Sequence, residues 1–68
     1  MSKEEIQRLK DIYKTEALGE VRKKIADAMV TYEGESIPYL LDCVNGEALS
    51  ENREYLLKKI AELKGTKK

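Results

Sequence analysis

The stretch KTEALGEV, residues 14–21, decides how this chain folds. On both sides of it, apolar residues recur at helical spacing. Before it, KEEIQRLKDIYK places Ile6, Leu9, Ile12 and Tyr13 on one face. Beyond it, EALGEVRKKIADAMVTY places Ala17, Val21, Ile25, Ala28 and Tyr32 on one face, with Leu18 and Met29 beside them. At about 100° per residue, the second face is turned by roughly 120° from the first. Two structures produce that offset. A break at Thr15–Gly19, with Thr15 as cap and Gly19 weakening the turn, makes two helices. One long helix, whose halves face different neighbours, makes the other. A helical glycine costs only about 1 kcal/mol relative to alanine, which tertiary packing can overrule. The reading adopted is one long helix over residues 3–32, continuous or kinked.

Working outward, EGES closes that helix, with Gly34 as C-cap and Ser36 as N-cap of the next. SIPYLLDCVNG then predicts a short helix with Pro38 in its first turn, where a missing N–H does no harm. Apolar side chains cover nearly all its faces, so it is expected to be buried. A buried strand is the rival for so short an apolar run, but no partner strand stands elsewhere in the chain. Ser50 caps a last helix, in which Leu49, Leu56, Ile60 and Leu63 share a face, and Gly65 stops it. The predicted fold is all-α: a small three-helix domain over residues 1–64, followed by a flexible basic tail, 65–68. The long and last helices are expected to pack antiparallel, bridged by the short one. No internal repeat or low-complexity segment stands out.

A 68-residue chain builds a small core, worth roughly 3–5 kcal/mol of net stability. Cys43 is the only cysteine, so no disulfide forms within the chain, and without histidine a structural zinc site is not expected. No cofactor is implied. A second copy is the simplest cover for apolar surface on so small a domain. A homodimer is therefore expected, with the rotated stripe Ile6, Leu9 and Tyr13 as its contact. No apolar run is long enough to cross a membrane, and a free thiol without a secretory segment suits the cytoplasm.

The chain has 13 basic and 13 acidic residues, yet they are unevenly placed. Asp27 to Glu54 holds seven acidic residues against Arg53, while 55–68 holds five lysines against Glu62. Such asymmetry points to an interaction surface. No catalytic constellation appears: there is no histidine to act as base and no glycine-rich phosphate loop, and Cys43 sits in an apolar run where a thiol is packing. The chain is expected not to be an enzyme. The leading expectation is a small interaction protein, of the kind found in bacteria and phages, that regulates or inhibits a larger macromolecular partner. Glu47, Glu51 and Glu54 would supply the acidic face, with Tyr39 and Tyr55 as anchors. A dimeric, helix-turn-helix-like DNA-binding regulator is the alternative, with Asn52 and Arg53 reading bases and Lys58 and Lys59 on phosphates. Neutral net charge and the acids around Asn52 count against it. A structural or assembly subunit is the third possibility.

Overall fold

The computed structural model describes residues 2–65; the expected tail beyond Gly65 lies outside the described residues. Among those residues there are four α-helices and no strand: α1 (Ser2–Thr15), α2 (Gly19–Val30), α3 (Ile37–Gly46) and α4 (Ser50–Gly65). A 3₁₀ turn, Glu33–Ser36, precedes α3. The all-α class is as expected, but the single long helix is not. It breaks at Glu16–Leu18, which is why its two apolar faces did not align.

The break is held by specific bonds. Glu16 N–H donates to the Tyr13 carbonyl at 3.3 Å, and the Thr15 hydroxyl donates to the Ile12 carbonyl at 3.1 Å, closing α1. Thr15 therefore finishes the first helix and does not cap the second. Leu18 is the N-cap of α2, extended at φ −88° and ψ 123°, with no side-chain cap. Its N–H donates to the Glu16 carboxylate at 3.2 Å. Arg22 reaches back from α2 and donates to the Glu16 carbonyl at 2.7 Å. The carbonyl left without a helical partner is thereby satisfied.

The other boundaries also shift. The left-handed residue after α2 is Glu33, at φ 56°, and not Gly34. Ser36 stands at the N-cap of α3 as read, but it is buried and its hydroxyl donates back to the Glu33 carbonyl at 2.7 Å and makes no cap bond to α3. Pro38 lies in the first turn of α3, as read. Ser50 is already helical, because the first intrahelical bond of α4 runs from Arg53 N–H to the Leu49 carbonyl at 3.0 Å. α3 is less enclosed than expected: Leu40 and Cys43 are buried, while Leu41 is exposed.

The helices form two hairpins, α1–α2 and α3–α4, and the chain proves to contain a repeat. Shifting the sequence by 31 residues sets EALGEVR (16–22) on EALSENR (47–53), identical at five of seven positions. The same shift sets Glu4 on Glu35, Ile6 on Ile37, Leu9 on Leu40 and Asp11 on Asp42. The local bonding repeats too. Leu49 N–H donates to the Glu47 carboxylate at 3.0 Å, as Leu18 does to Glu16, and Arg53 donates to the Glu47 carbonyl at 3.0 Å, as Arg22 does to that of Glu16.

The second hairpin stacks on the first in the same orientation. α1 packs on α3, and α2 on α4. Side-chain bonds across that joint span 32 residues (Lys10–Asp42), 33 (Asn52–Gly19), 34 (Tyr13–Glu47) and 28 (Lys23–Glu51), all near the repeat length. This is how helical-repeat proteins stack their units. The long and last helices were expected to pack antiparallel; α2, the second half of that stretch, does pack on α4 but runs parallel to it. The core runs through the joint, from Ile6 and Tyr13 of α1 and Ala26 and Met29 of α2 to Leu40 and Cys43 of α3 and Leu56 and Ile60 of α4.

Candidate functional site

Equivalent stacking brings both hairpin connectors, 16–18 and 47–49, to one end of the molecule. Leu49 of the second connector packs there on the start of α2: a Cβ built on Gly19 would lie 3.4 Å from Leu49 Cδ1 and 3.5 Å from Asn52 Nδ2. Asn52 donates to the Gly19 carbonyl at 3.2 Å, tying the second connector to the start of α2.

Beneath the connectors lies a buried polar network centred on Glu47. Its Oε1 accepts from the Tyr13 hydroxyl at 2.6 Å, and its Oε2 from Arg22 Nη2 at 3.3 Å and from Leu49 N–H at 3.0 Å. Arg22 Nε is 3.2 Å from Oε1 but off the direction a hydrogen bond needs, and it has no other partner. Burial pushes the Glu47 carboxyl up, but the bonds from Tyr13 and Leu49, the Arg22 charge and Asn52 outweigh it and hold the group below the usual carboxylate range. The Tyr13 phenol moves the other way: burial, then the bond to Glu47 and its charge, push it well above its ordinary value. Both groups are locked in single protonation states near neutrality.

A surface hollow of about 360 Å³ opens beside this network, lined by Tyr13, Lys14, Arg22, Cys43 and Glu47 among others. Burial pushes the Cys43 thiol up to about 11, with the Lys14 and Lys10 charges offsetting only part of the effect. At neutral pH it is a packed thiol, not a thiolate. Among the described residues no group of three or more His, Cys, Asp or Glu could hold a metal ion, and no helix is long and apolar enough to cross a membrane.

The residues picked out in the sequence separate into three sets. Glu47 was expected on an exposed acidic face; it is 4% exposed, because Tyr13 and Arg22 draw it inside. Glu51 and Glu54 are exposed, with Glu51 paired to Lys23 at 2.8 Å. Tyr39 and Tyr55 are half-buried in the joint. Lys10 Nζ lies 5.5 Å from the Tyr39 ring, and Lys23 and Lys59 lie 5.6 and 5.2 Å from the Tyr55 ring. The Tyr55 hydroxyl donates to Asp27, a bond that pushes the phenol up to about 12.

The stripe expected at a dimer contact faces inward: Ile6 and Tyr13 are buried in the chain's own core and Leu9 packs against it. Of the residues expected to meet DNA, Asn52 is buried and bonded to Gly19, and the Arg53 guanidinium holds the Glu47 carbonyl. Lys58 is exposed, and Lys59 lies near Tyr55 and 3.8 Å from Glu62.

Two residues were missed. Leu18 is 63% exposed and Leu49 is 49% exposed, at equivalent positions of the two connectors. The signal that marks them is the doubled EAL motif, not hydrophobic periodicity, because neither leucine lies on a buried helix face. No family model matches the chain, and neither a curated protein nor a solved structure matches it.

Proposed function

We propose that this is a small non-enzymatic interaction protein that binds and regulates a larger protein partner through the end of the stack carrying Leu18 and Leu49. One observation carries the reading: two large apolar side chains stand in solvent on connectors that are themselves rigidly held. Exposure removes most of the burial gain at Leu18 and about half at Leu49, which also packs on Gly19, so folding alone gives only a partial reason for leucine at these places. Apolar anchors on pinned loops lose little entropy on binding, which favours affinity. Loops at one edge are also where helical-repeat proteins place their contacts.

The pattern of identity between the halves supports the same surface. Positions 16–22 and 47–53 share five of seven residues, whereas 23–32 and 54–63 share none of ten. Part of that identity is structural, in Glu16/Glu47 and Arg22/Arg53. Leu18/Leu49 and Glu20/Glu51 are exposed and have no such role in both halves. Glu20, Glu51 and Glu54 give the surface an acidic border, which suits a partner whose apolar pocket is rimmed by Lys and Arg.

The test is photo-cross-linking in the native host from position 18 or 49, with Lys3, an exposed residue of α1, as control position. The reading expects one protein captured from both connector positions and not from Lys3, and its capture at 49 lost when Leu18 is replaced by Ser. Adducts no stronger than at Lys3 would sink it.

A further inference from the structure

The two hairpins are equivalent, but the exposure of equivalent residues is not, and the differences form a pattern. Cys43 is 1% exposed, while its counterpart Ile12 is 44% exposed. Ala26 is 0% exposed, while its counterpart Leu57 is 45% exposed. Lys10 lies against Tyr39 and Asp42, while its counterpart Leu41 is 42% exposed.

The covered members belong to the joint between hairpins. Cys43 feels the charges of Lys10 and Lys14 across it. Ala26 lies two turns after Gly19 on the same side of α2, the side that meets Leu49 and Asn52. The exposed members stand where a further hairpin would sit. Ile12 is on the side of the first hairpin that has no predecessor. Leu41 and Leu57 are on the side of the second hairpin that has no successor. A stacked repeat whose end faces remain apolar lacks the polar caps that normally end such a stack.

We propose that the chain associates head to tail with a second copy of itself. The Leu41–Leu57 face of one molecule seats on the Ile12 face of the next, continuing between molecules the packing that joins α3–α4 to α1–α2 within one. Half-buried Val44 and Val21, the counterparts of Tyr13 and Asn52, lie on those two faces and make the external joint more apolar than the internal one. The polar cross-links carry over only in part. Arg22–Glu47 maps onto Arg53–Glu16 of the next copy, but Lys23–Glu51 maps onto Glu54–Glu20, two like charges. The external joint is therefore the weaker one and forms with rising concentration. It is heterologous, so each molecule uses two different faces.

Sedimentation and light scattering of the full chain, up to about 1 mM, read this directly. The weight-average mass should rise with concentration from the 7.8 kDa monomer. Ile12→Lys blocks one face and Leu57→Lys the other. Both residues are exposed, so each variant should keep its helical circular dichroism and remain monomeric alone. Mixed one to one, the two variants should pair through their intact faces and stop at two chains. A wild-type chain that stays monomeric throughout overturns the proposal. So does a dimer that neither substitution affects, or a mixture that stays monomeric.

Discussion

Arg22 and Glu47 meet across the joint between the two hairpins, with Nε 3.2 Å from Oε1 and Nη2 3.3 Å from Oε2. Each also serves its own surroundings, since Arg22 holds the first connector and Glu47 the second. A single pair thus couples both loops to the core.

Removing Glu47 takes the acceptor from the buried Tyr13 hydroxyl, from Leu49 N–H and from Arg22, which keeps its bonds to the first connector. Glu47→Ala should therefore cost about 2 kcal/mol or more. Tyr13→Phe deletes one of several bonds to the same carboxylate and should cost about 1 kcal/mol. Urea unfolding of both variants checks the order; a Glu47→Ala chain as stable as wild type would show that the network is ornamental.

The depressed Glu47 carboxyl sets an acid limit. Its folded value lies below the ordinary 4.5, so the unfolded chain binds the proton first as pH falls. The stabilisation is complete above the unfolded value and is lost as pH drops through the folded one. The melting temperature should hold from neutrality down to about pH 5 and decline below it. Glu47→Gln should be less stable at neutrality and show a shallower acid decline.

Glu33 occupies left-handed backbone at φ 56°, a region costly for a residue with a Cβ. Glu33→Gly should stabilise the chain by about 0.5–1 kcal/mol, after the entropy that glycine adds to the unfolded state. Thermal unfolding reads the sign, and a lower melting temperature would mean that the Glu33 side chain has a role of its own.

Cys43 is enclosed and its thiol is raised to about 11. Labelling by a thiol reagent at pH 7.5 should be far slower in the native chain than in urea. Its rate should rise in Glu47→Ala, tracking the opened population.

Much of the fold was legible where apolar residues keep helical spacing. Ile6 and Tyr13 on one stripe, and Leu56, Ile60 and Leu63 on another, did turn inward, whereas Ile12 and Leu49, read onto the same two stripes, are 44% and 49% exposed. The break at Glu16–Leu18 was visible only as a rotation between two stripes, and propensity alone did not decide it. It was settled by Arg22 and Glu16, residues that read as solvated charges until the loop carbonyl and the loop N–H they serve are known. Glu47 misled for the same reason: a lone acid in a loop looks exposed unless Tyr13, 34 residues earlier, is known to face it. The repeat was hidden because, beyond Arg22 and Arg53, its second helices share an apolar outline and no identities, as Met29 over Ile60 illustrates.

Tyr13 and Asn52 each occur in only one hairpin, opposite Val44 and Val21 in the other. The halves match in outline and differ in their polar joinery, so they are not interchangeable. Reversing their order by permutation would set Val44 beside Glu16 and leave Gly19 without its Asn52 donor. The chain therefore has a built-in reading direction, and any filament of it would fracture between molecules and release whole ones.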